Sequence, residues 1–451
     1  MSGKRERSVE ELYRDDAVRA EALAFGRKSG EDGRGFLEGA GLAEMAAAVG
    51  GAIPFSHNMP AGVVPAAFIN PHAGLQHSGV GRRGALSLEF PGKEEGLSLI
   101  GELPLVAETP VHLLDDDTTP TEKFYIRNNG LIPDAPNDPD AWMLEIDGEV
   151  NTPLRLTLGE IKASFPAVTR RMVLECGGNG RSFYSPPAEG NPWTHGGAGC
   201  AEWTGVPLAD ILRAAGIKPS AVYTAHYSPD RHVSGDAHRA ALSRGVRLDK
   251  AMDKHSMLVW AMNGAPLTHI HGGPLRLIYP GWTGSASQKW LTRIRLRDSE
   301  HDGPGMTGTH YRLPIKPIVP GDTPDPSNLR ILEAMPVRSI VTSPANGARL
   351  AAGTRTFDLR GAAWAGDLEV KRVDVSIDFG ASWQEAQLAA PRNRYDWRRW
   401  MAAAKLPSDG YFEIWSRATD SEDQAQPYSA ANWNPHGYAA NPFHRIAVLV
   451  G

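Results

Sequence analysis

The pattern of apolar and polar positions changes character near residue 340. Between about residues 100 and 335, short strand-like runs (WMLEIDGEV, RRMVLEC, HSMLVWAM, PLRLIYP) are separated by Gly/Pro turns and by brief helical patterns such as LADILRAAG. Short apolar runs bounded by turn residues predict strands, so this region reads as α+β. Beyond the proline-spaced segment LPIKPIVPGDTPDPSN, alternation takes over. Val373, Val375, Ile377 and Phe379 fall on one face with a Phe-Gly turn behind them, and YFEIWSRATD, HRIAVLV and, more loosely, GTRTFDLRGAAW also read as strands. Roughly seven short strands over about 110 residues predict an immunoglobulin-like β-sandwich. The expected organisation is an N-terminal extension over residues 1–95, an α+β domain over 96–335 and a β-domain over 336–451.

Composition narrows the functions open to such a chain. The net charge is −5 with both signs interspersed, so the clustered basic face of a nucleic-acid binder is missing. Two cysteines build no disulfide framework, and no CxxC pair is present to hold zinc or exchange dithiols. High glycine and proline (48 and 35) suit a loop-rich or β-rich protein. Residues 33–55, GRGFLEGAGLAEMAAAVGGAIPF, combine a short positive start with an apolar run too brief to span a bilayer. They look like a degenerate twin-arginine export signal, with Gly33 where the second arginine belongs and Glu38 and Glu44 where the charge should be neutral or basic. Cytoplasmic retention is therefore expected, periplasmic export being the alternative. No membrane span is expected.

Candidate chemistry starts at VLECGGNGRSF, residues 173–183. The run ends on Cys176 and turns through glycines, which let backbone N–H groups approach a ligand, while Arg181 adds a fixed charge. A buried structural cysteine is the bland reading. GGNGRS lacks the lysine of a phosphate-binding P-loop, and neither GxSxG nor HExxH nominates a hydrolase. A nucleophilic thiol, or a thiolate on a soft or high-valent metal, stays open. A second stretch, residues 263–290, sets His271, Arg276 and Lys289 among glycine-rich turns, which suits a phosphate or pyran-type ligand, a solvated basic loop being the bland reading.

Together with FYIRNN, LECGGNGRSF, GAGCAEWTGVPLADIL, HGGPLRLIYPGWTGSASQKWL, HDGPGMTGTHYRLP and the late WNPHGY…NPFHRI, the chain resembles the sulfite oxidase family of molybdopterin enzymes. The resemblance runs over roughly residues 100–451 and is strongest to the bacterial SoxC-like sulfane (sulfite) dehydrogenase branch. It implies a molybdopterin-binding catalytic domain followed by an Ig-like dimerisation domain, one molybdenum held by the pterin and by Cys176, and a homodimer. Carried over residue by residue, His271, Arg276 and Lys289 would grip the pterin and its phosphate. Ser287, Gln288, Asn128, Asn129, Tyr125 and Ile126 would help, with Asp230 as pterin-contacting aspartate and Asp236 as its competitor. Arg127 and Arg181 would bind a sulfur oxyanion, Trp193 would wall the pocket, and Tyr311 would tune docking and electron exit.

The implied reaction is oxidation of sulfite to sulfate by oxygen-atom transfer. Two departures from the vertebrate pattern stand out: His436 where an arginine would bind the anion, and Asn129 in place of a histidine. His436 is expected to control which anion is bound. Sulfane dehydrogenation of protein-bound sulfur and S/N-oxide reduction remain alternatives, as does an interaction protein that has lost the metal. No haem-binding domain or CxxCH is present, so electrons must leave to an external acceptor, a c-type cytochrome being the candidate if the enzyme is exported.

Overall fold

The computed structural model describes residue 93 and residues 96–451 apart from residue 237, so the export-like segment lies outside the described residues. Among the described residues the first half holds a two-stranded sheet, Arg312–Pro314 with Leu329–Ile331, and three larger ones. Ser98–Glu102, Leu105–Glu108 and Ile126–Arg127 form a small antiparallel one. A five-stranded antiparallel sheet orders Ala265–Pro266, Met257–Met262, Ala198–Pro207 and Val168–Glu175, with Arg276–Ile278 also paired to Met257–Met262. The third sheet is mixed: Leu154–Thr157, Met143–Gly148, Arg293–Arg297 and Tyr223–Tyr227, with Arg293–Arg297 parallel to Met143–Gly148.

Local sequence accounts for the helices between these strands. Thr157 and Glu160 make a reciprocal capping box that starts Leu158–Ser164, satisfying two N–H groups that helix geometry leaves free. Leu208–Ala215 follows Pro207 directly and buries Leu208, Ile211, Leu212 and Ala215 against the central core. This is the expected LADILRAAG helix.

Two stacked sheets form the second half. One orders Arg338–Ser343, Thr356–Trp364, Arg398–Lys405 and Gln387–Leu388; the other orders Ala348–Leu350, His444–Val450, Gly410–Asp420, Val370–Ser376 and Gln384–Glu385. Their facing residues, among them Val341, Leu359, Val373, Trp400, Ile414 and Val448, make one apolar core. The sandwich is as expected, with nine strands where about seven were counted. The additional strands are pieces of two or three residues, too short to show as alternation. Val373 and Val375 are buried in register, but the strand stops at Ser376. Asp378 accepts from Ser376 Oγ (2.8 Å) and Ser382 N–H (2.9 Å), folding a turn in which Phe379 takes φ +59° and leaves the alternation.

The sandwich is docked on the strand that ends at the cysteine. Val173 N–H donates to Tyr395 O at 2.9 Å, and Arg171 grips Asp396 bidentately at 2.7 and 2.8 Å, both side chains being buried. Trp364 and Trp397 cover Val173 and Cys200 from the same side. Val168–Glu175 is therefore covered along its last five residues, which is why it reads as a continuous rather than alternating apolar run.

Candidate active site

The strand Val168–Glu175 delivers Cys176 to the floor of a cleft. Cys176 N–H donates to Gly197 O (2.8 Å), and its carbonyl accepts from Asn179 N–H (2.9 Å), which closes the turn. Glycine is required here by close approach. A Cβ at Gly178 would lie 2.5 Å from the Arg181 guanidinium, and one at Gly177 would lie 2.5 Å from Thr283 Oγ1. Cys200, by contrast, is packed away from the cleft, and burial pushes its thiol well above the usual range.

Opposite the cysteine the cleft is lined by cationic groups on four segments. Arg276 opens the strand Arg276–Ile278 and donates to His271 O (2.7 Å) and Ser287 O (2.9 Å). Lys289 Nζ donates to Asn128 Oδ1 (2.8 Å) and Ile270 O (2.7 Å). Arg127 ends Ile126–Arg127, and its Nη1 is buried with no hydrogen-bond partner among the described residues. His271 also lines the cleft, and Lys93 Nζ lies 2.5 Å from its Nε2 while donating to Thr121 O and Phe124 O. Asp230 is the single carboxylate in the described lining.

Burial acts on this cluster in one direction. It lowers Lys289 and His271 well below their ordinary values, brings Arg276 to about 10 and Lys93 to about 7, and raises Asp230. Neighbouring positive charges add to the depression of Lys289 and His271. A buried set of cations facing one carboxylate favours an anionic occupant, because an anion restores the charged forms that burial disfavours. Gln288 supplies a further unpaired acceptor, its buried Oε1, while its Nε2 donates to Ser228 Oγ at 2.5 Å and Ser228 in turn binds Asp230. Donors for a phosphate, amide-type partners for a polar heterocycle and a thiol at one end fit a molybdopterin.

The structure thus brings Cys176, Tyr125, Arg127, Asn128, Asn129, Asp230, His271, Arg276, Ser287, Gln288, Lys289 and Tyr311 to one cleft. Asp236 is exposed on its loop, so Asp230 is the aspartate in place. Tyr311 sits at the wall, its hydroxyl 3.3 Å from Asn129 Oδ1.

Four expected residues stand off the lining. Ile126 turns its side chain into an apolar cluster with Leu97, Ala107 and Ile270. Trp193 is fully buried behind Tyr125 (ring centroids 5.8 Å), so it backs the wall and does not face the cleft. Arg181 lies beneath the cysteine turn, donating to His436 O (2.6 Å) and Asn191 O (2.8 Å). The His436 ring binds Thr309 Oγ1 (2.8 Å), stacks on His310 (4.7 Å) and approaches Glu189 at 3.6 Å. Sequence reasoning missed Phe124, Trp290 and Leu242 in the lining and Lys93 behind His271. Phe124 and Trp290 lie within the motifs FYIRNN and SQKWL and were within reach; Lys93 and Leu242 carry no local signal.

Comparison with known proteins agrees with this geometry. Residues 130–305 match the oxidoreductase molybdopterin binding domain, and residues 330–451 match the Mo-co oxidoreductase dimerisation domain. The chain is 33% identical over 367 residues to sulfite oxidase of Gallus gallus, covering 79% of this chain and 78% of that protein. It is 32% identical over 375 residues to the mitochondrial sulfite oxidase of Rattus norvegicus (80% and 67% covered). With nitrate reductase 2 (NADH) of Phaseolus vulgaris it shares 29% over 382 residues, covering 78% of this chain and 42% of that one. Among solved structures, the sulfane dehydrogenase SoxCD from Paracoccus pantotrophus superposes with a TM-score of 0.65 at 25% identity, covering 85% of this chain and 94% of that one.

Proposed function

The chain belongs to the sulfite oxidase family of molybdopterin oxidoreductases, and we propose that it oxidises sulfite to sulfate by oxygen-atom transfer. The observation that carries this reading is the convergence of Cys176, the cations Arg127, Arg276 and Lys289 and the imidazole of His271 on one cleft with a single carboxylate among its described lining. His271, Arg276 and Lys289, with Gln288 and Asp230, would hold the pterin and its phosphate, and Cys176 would ligate the molybdenum. When bound, that cofactor supplies the transferable oxygen and takes up an electron pair.

This chain's own part is binding and orientation. Arg127, with its unpaired buried Nη1, offers a donor to an oxyanion, and Arg181 adds positive charge from beneath the same turn. The Tyr311 hydroxyl lies at the wall where a second donor can meet substrate oxygen. Each turnover takes one water and releases two protons and two electrons, which an external acceptor must take; a c-type cytochrome is the candidate. A homodimer built through residues 330–451 and retention in the cytoplasm belong to the same proposal. Among the described residues no helix is long and apolar enough to cross a membrane.

A second reading, oxidation of a sulfane sulfur carried on a partner cysteine, draws on His436. Beside Arg181 the chain carries an imidazole that burial keeps below its usual pKa, in place of a permanent cation. Metal and pterin analysis of the purified protein, then reduction of cytochrome c with sulfite against a persulfide-bearing peptide, separates the two. Sulfite-dependent reduction with molybdenum near one per chain supports the first; turnover of the persulfide alone replaces it with the second.

A further inference from the structure

Tyr311 is held in a way that its own loop does not explain. Its backbone sits at φ +49°, a left-handed conformation that bulky residues seldom adopt. Two groups pack on its ring: Arg244 Cζ at 4.6 Å from the centroid, and the ring of Tyr438, stacked at 4.8 Å and 18°. Arg181 Cζ in turn lies 5.5 Å from the Tyr438 centroid. The contacts run in order from a buried arginine through two tyrosines to the arginine under the cysteine turn.

Tyr438 is itself fixed to that turn. Its N–H donates to Asn434 Oδ1 (2.8 Å), and its carbonyl accepts from Asn434 Nδ2 and Tyr184 Oη, both at 3.0 Å. The next residue, Ala439, donates its N–H to Gly177 O at 2.9 Å, one position beyond Cys176. The Tyr438 ring is buried in an apolar cluster with Leu332 and Met335, against which Tyr311 also packs.

We propose that Tyr438, from the dimerisation domain, is a positioning residue that sets Tyr311 in register with the cysteine turn through ring stacking. Arg244 supports the Tyr311 ring, and Asn434 with Ala439 ties Tyr438 to the Cys176 loop. The consequence is that the Tyr311 hydroxyl stays beside Asn129 at the cleft wall although its backbone is strained. This rests on the sulfite-oxidising reading, in which Tyr311 meets the substrate.

The test compares Tyr438→Phe, Tyr438→Leu and Tyr311→Phe in the molybdenum-loaded enzyme. Tyr438→Phe keeps the ring and loses only the hydroxyl's hydrogen bond from the Tyr311 backbone, so the KM for sulfite should stay within about threefold, whereas Tyr438→Leu should raise it roughly tenfold or more, toward the 10²-fold that an ångström of misplacement can cause. A second readout needs no substrate: the Mo(V) paramagnetic spectrum after chemical reduction should change alike in Tyr438→Leu and Tyr311→Phe and stay as wild type in Tyr438→Phe. Where Tyr438→Leu folds poorly, Tyr438→Met takes its place. An unchanged KM and spectrum in the non-aromatic variant, or equal losses in the Phe and Leu proteins, overturn the stacking role. Wild-type enzyme inert toward sulfite overturns the functional reading instead, and the spectra then decide on Tyr438 by themselves.

Discussion

Arg338 Nε donates to Glu175 Oε1 at 2.8 Å in an ion pair whose side chains are 0% and 3% exposed, and through it the β-sandwich holds the residue that precedes Cys176. Glu175 also accepts from Asn179 Nδ2 (2.9 Å) and Trp364 Nε1 (2.6 Å), while Arg338 donates to Asn179 O (3.1 Å) and Ala440 O. The cysteine turn is thus fixed from both domains. Arg338 and Trp364 come from the sandwich, and Asn179 comes from the turn itself.

Removing one member of a buried pair leaves the other charge uncompensated, which costs about 3–5 kcal/mol. Glu175→Gln is expected to lower stability by roughly that amount. It should also loosen the turn, so molybdenum content falls along with the unfolding midpoint. Calorimetry and metal analysis on the same preparation check this. A midpoint equal to wild type would show that the pair does not anchor the turn.

The cation cluster predicts a steeper pH dependence of stability for the cofactor-free protein than for the loaded one. Burial lowers Lys93 to about 7 and Lys289 well below its ordinary value, so the unfolded chain binds more protons than the folded one between about pH 7 and the lysine reference near 10.4. Stability of the cofactor-free protein should therefore rise with pH across that window. Glu108, raised by burial to about 7, acts only below it, the buried tyrosines act only above about pH 10, and the Cys200 thiol, raised by burial, opposes the rise above about pH 8.5 in both forms. An anionic phosphate restores the charged lysines, so the loaded protein should show a flatter profile. Thermal unfolding of both forms from pH 7.5 to 9.5 decides, and parallel profiles would refute the cluster's role.

Some of this was legible in the sequence, and the reason differs by feature. The sandwich could be read because Val373 and Val375 alternate with polar Asp374 and Ser376, which are also buried and are satisfied by Arg372 and Arg417 and by Asp378. Glycine-rich turns and charge marked the loops of Cys176, Arg276 and Lys289 as candidates, and the family resemblance supplied their roles. Trp193 was misplaced because an aromatic beside a motif gives no sign of which side of the wall it stands on. Arg338, Arg244 and Tyr438 act on the site from far along the chain, through contacts that only folding brings together.

Cys176→Ser should separate folding from chemistry. The side chain has little apolar area to lose, and the turn is closed by backbone bonds that the substitution leaves in place. Unfolding of the cofactor-free protein is expected to change little. Sulfite turnover and molybdenum retention should fall by more than the roughly 10–100-fold that loss of a supporting residue causes at a metal site. Cys200→Ala, packed away from the cleft, is the control for general thiol effects.

The dimerisation match predicts assembly through residues 330–451. Light scattering on the full-length protein should give twice the chain mass over a wide concentration range. A single-chain mass throughout would remove the homodimer from the proposal.

His436 lies outside the cleft lining, its carbonyl bonded to Arg181, which moves the expected pH effect. Burial lowers its pKa below 6.5, and His310 and Arg181 push the same way against Glu189. The imidazole is therefore neutral at pH 7 and gains charge only in more acidic solution. Protonation adds a positive charge beside Arg181, whose Nε bonds the His436 carbonyl, so any help to an anion should appear below pH 6.5 and vanish above it. Sulfite itself titrates in this range, so the profile to read is the ratio of variant to wild-type KM. His436→Gln, a neutral stand-in that keeps a donor toward Thr309, should match wild type from pH 7 to 9 and bind sulfite more weakly than wild type below about 6. His436→Arg should bind more tightly above pH 7, by at most the ~1.5–3 kcal/mol of a charge-assisted hydrogen bond, with that advantage shrinking in acid. Ratios flat from pH 5 to 9 in both variants, with molybdenum content preserved, would show that the charge on His436 plays no part in anion binding.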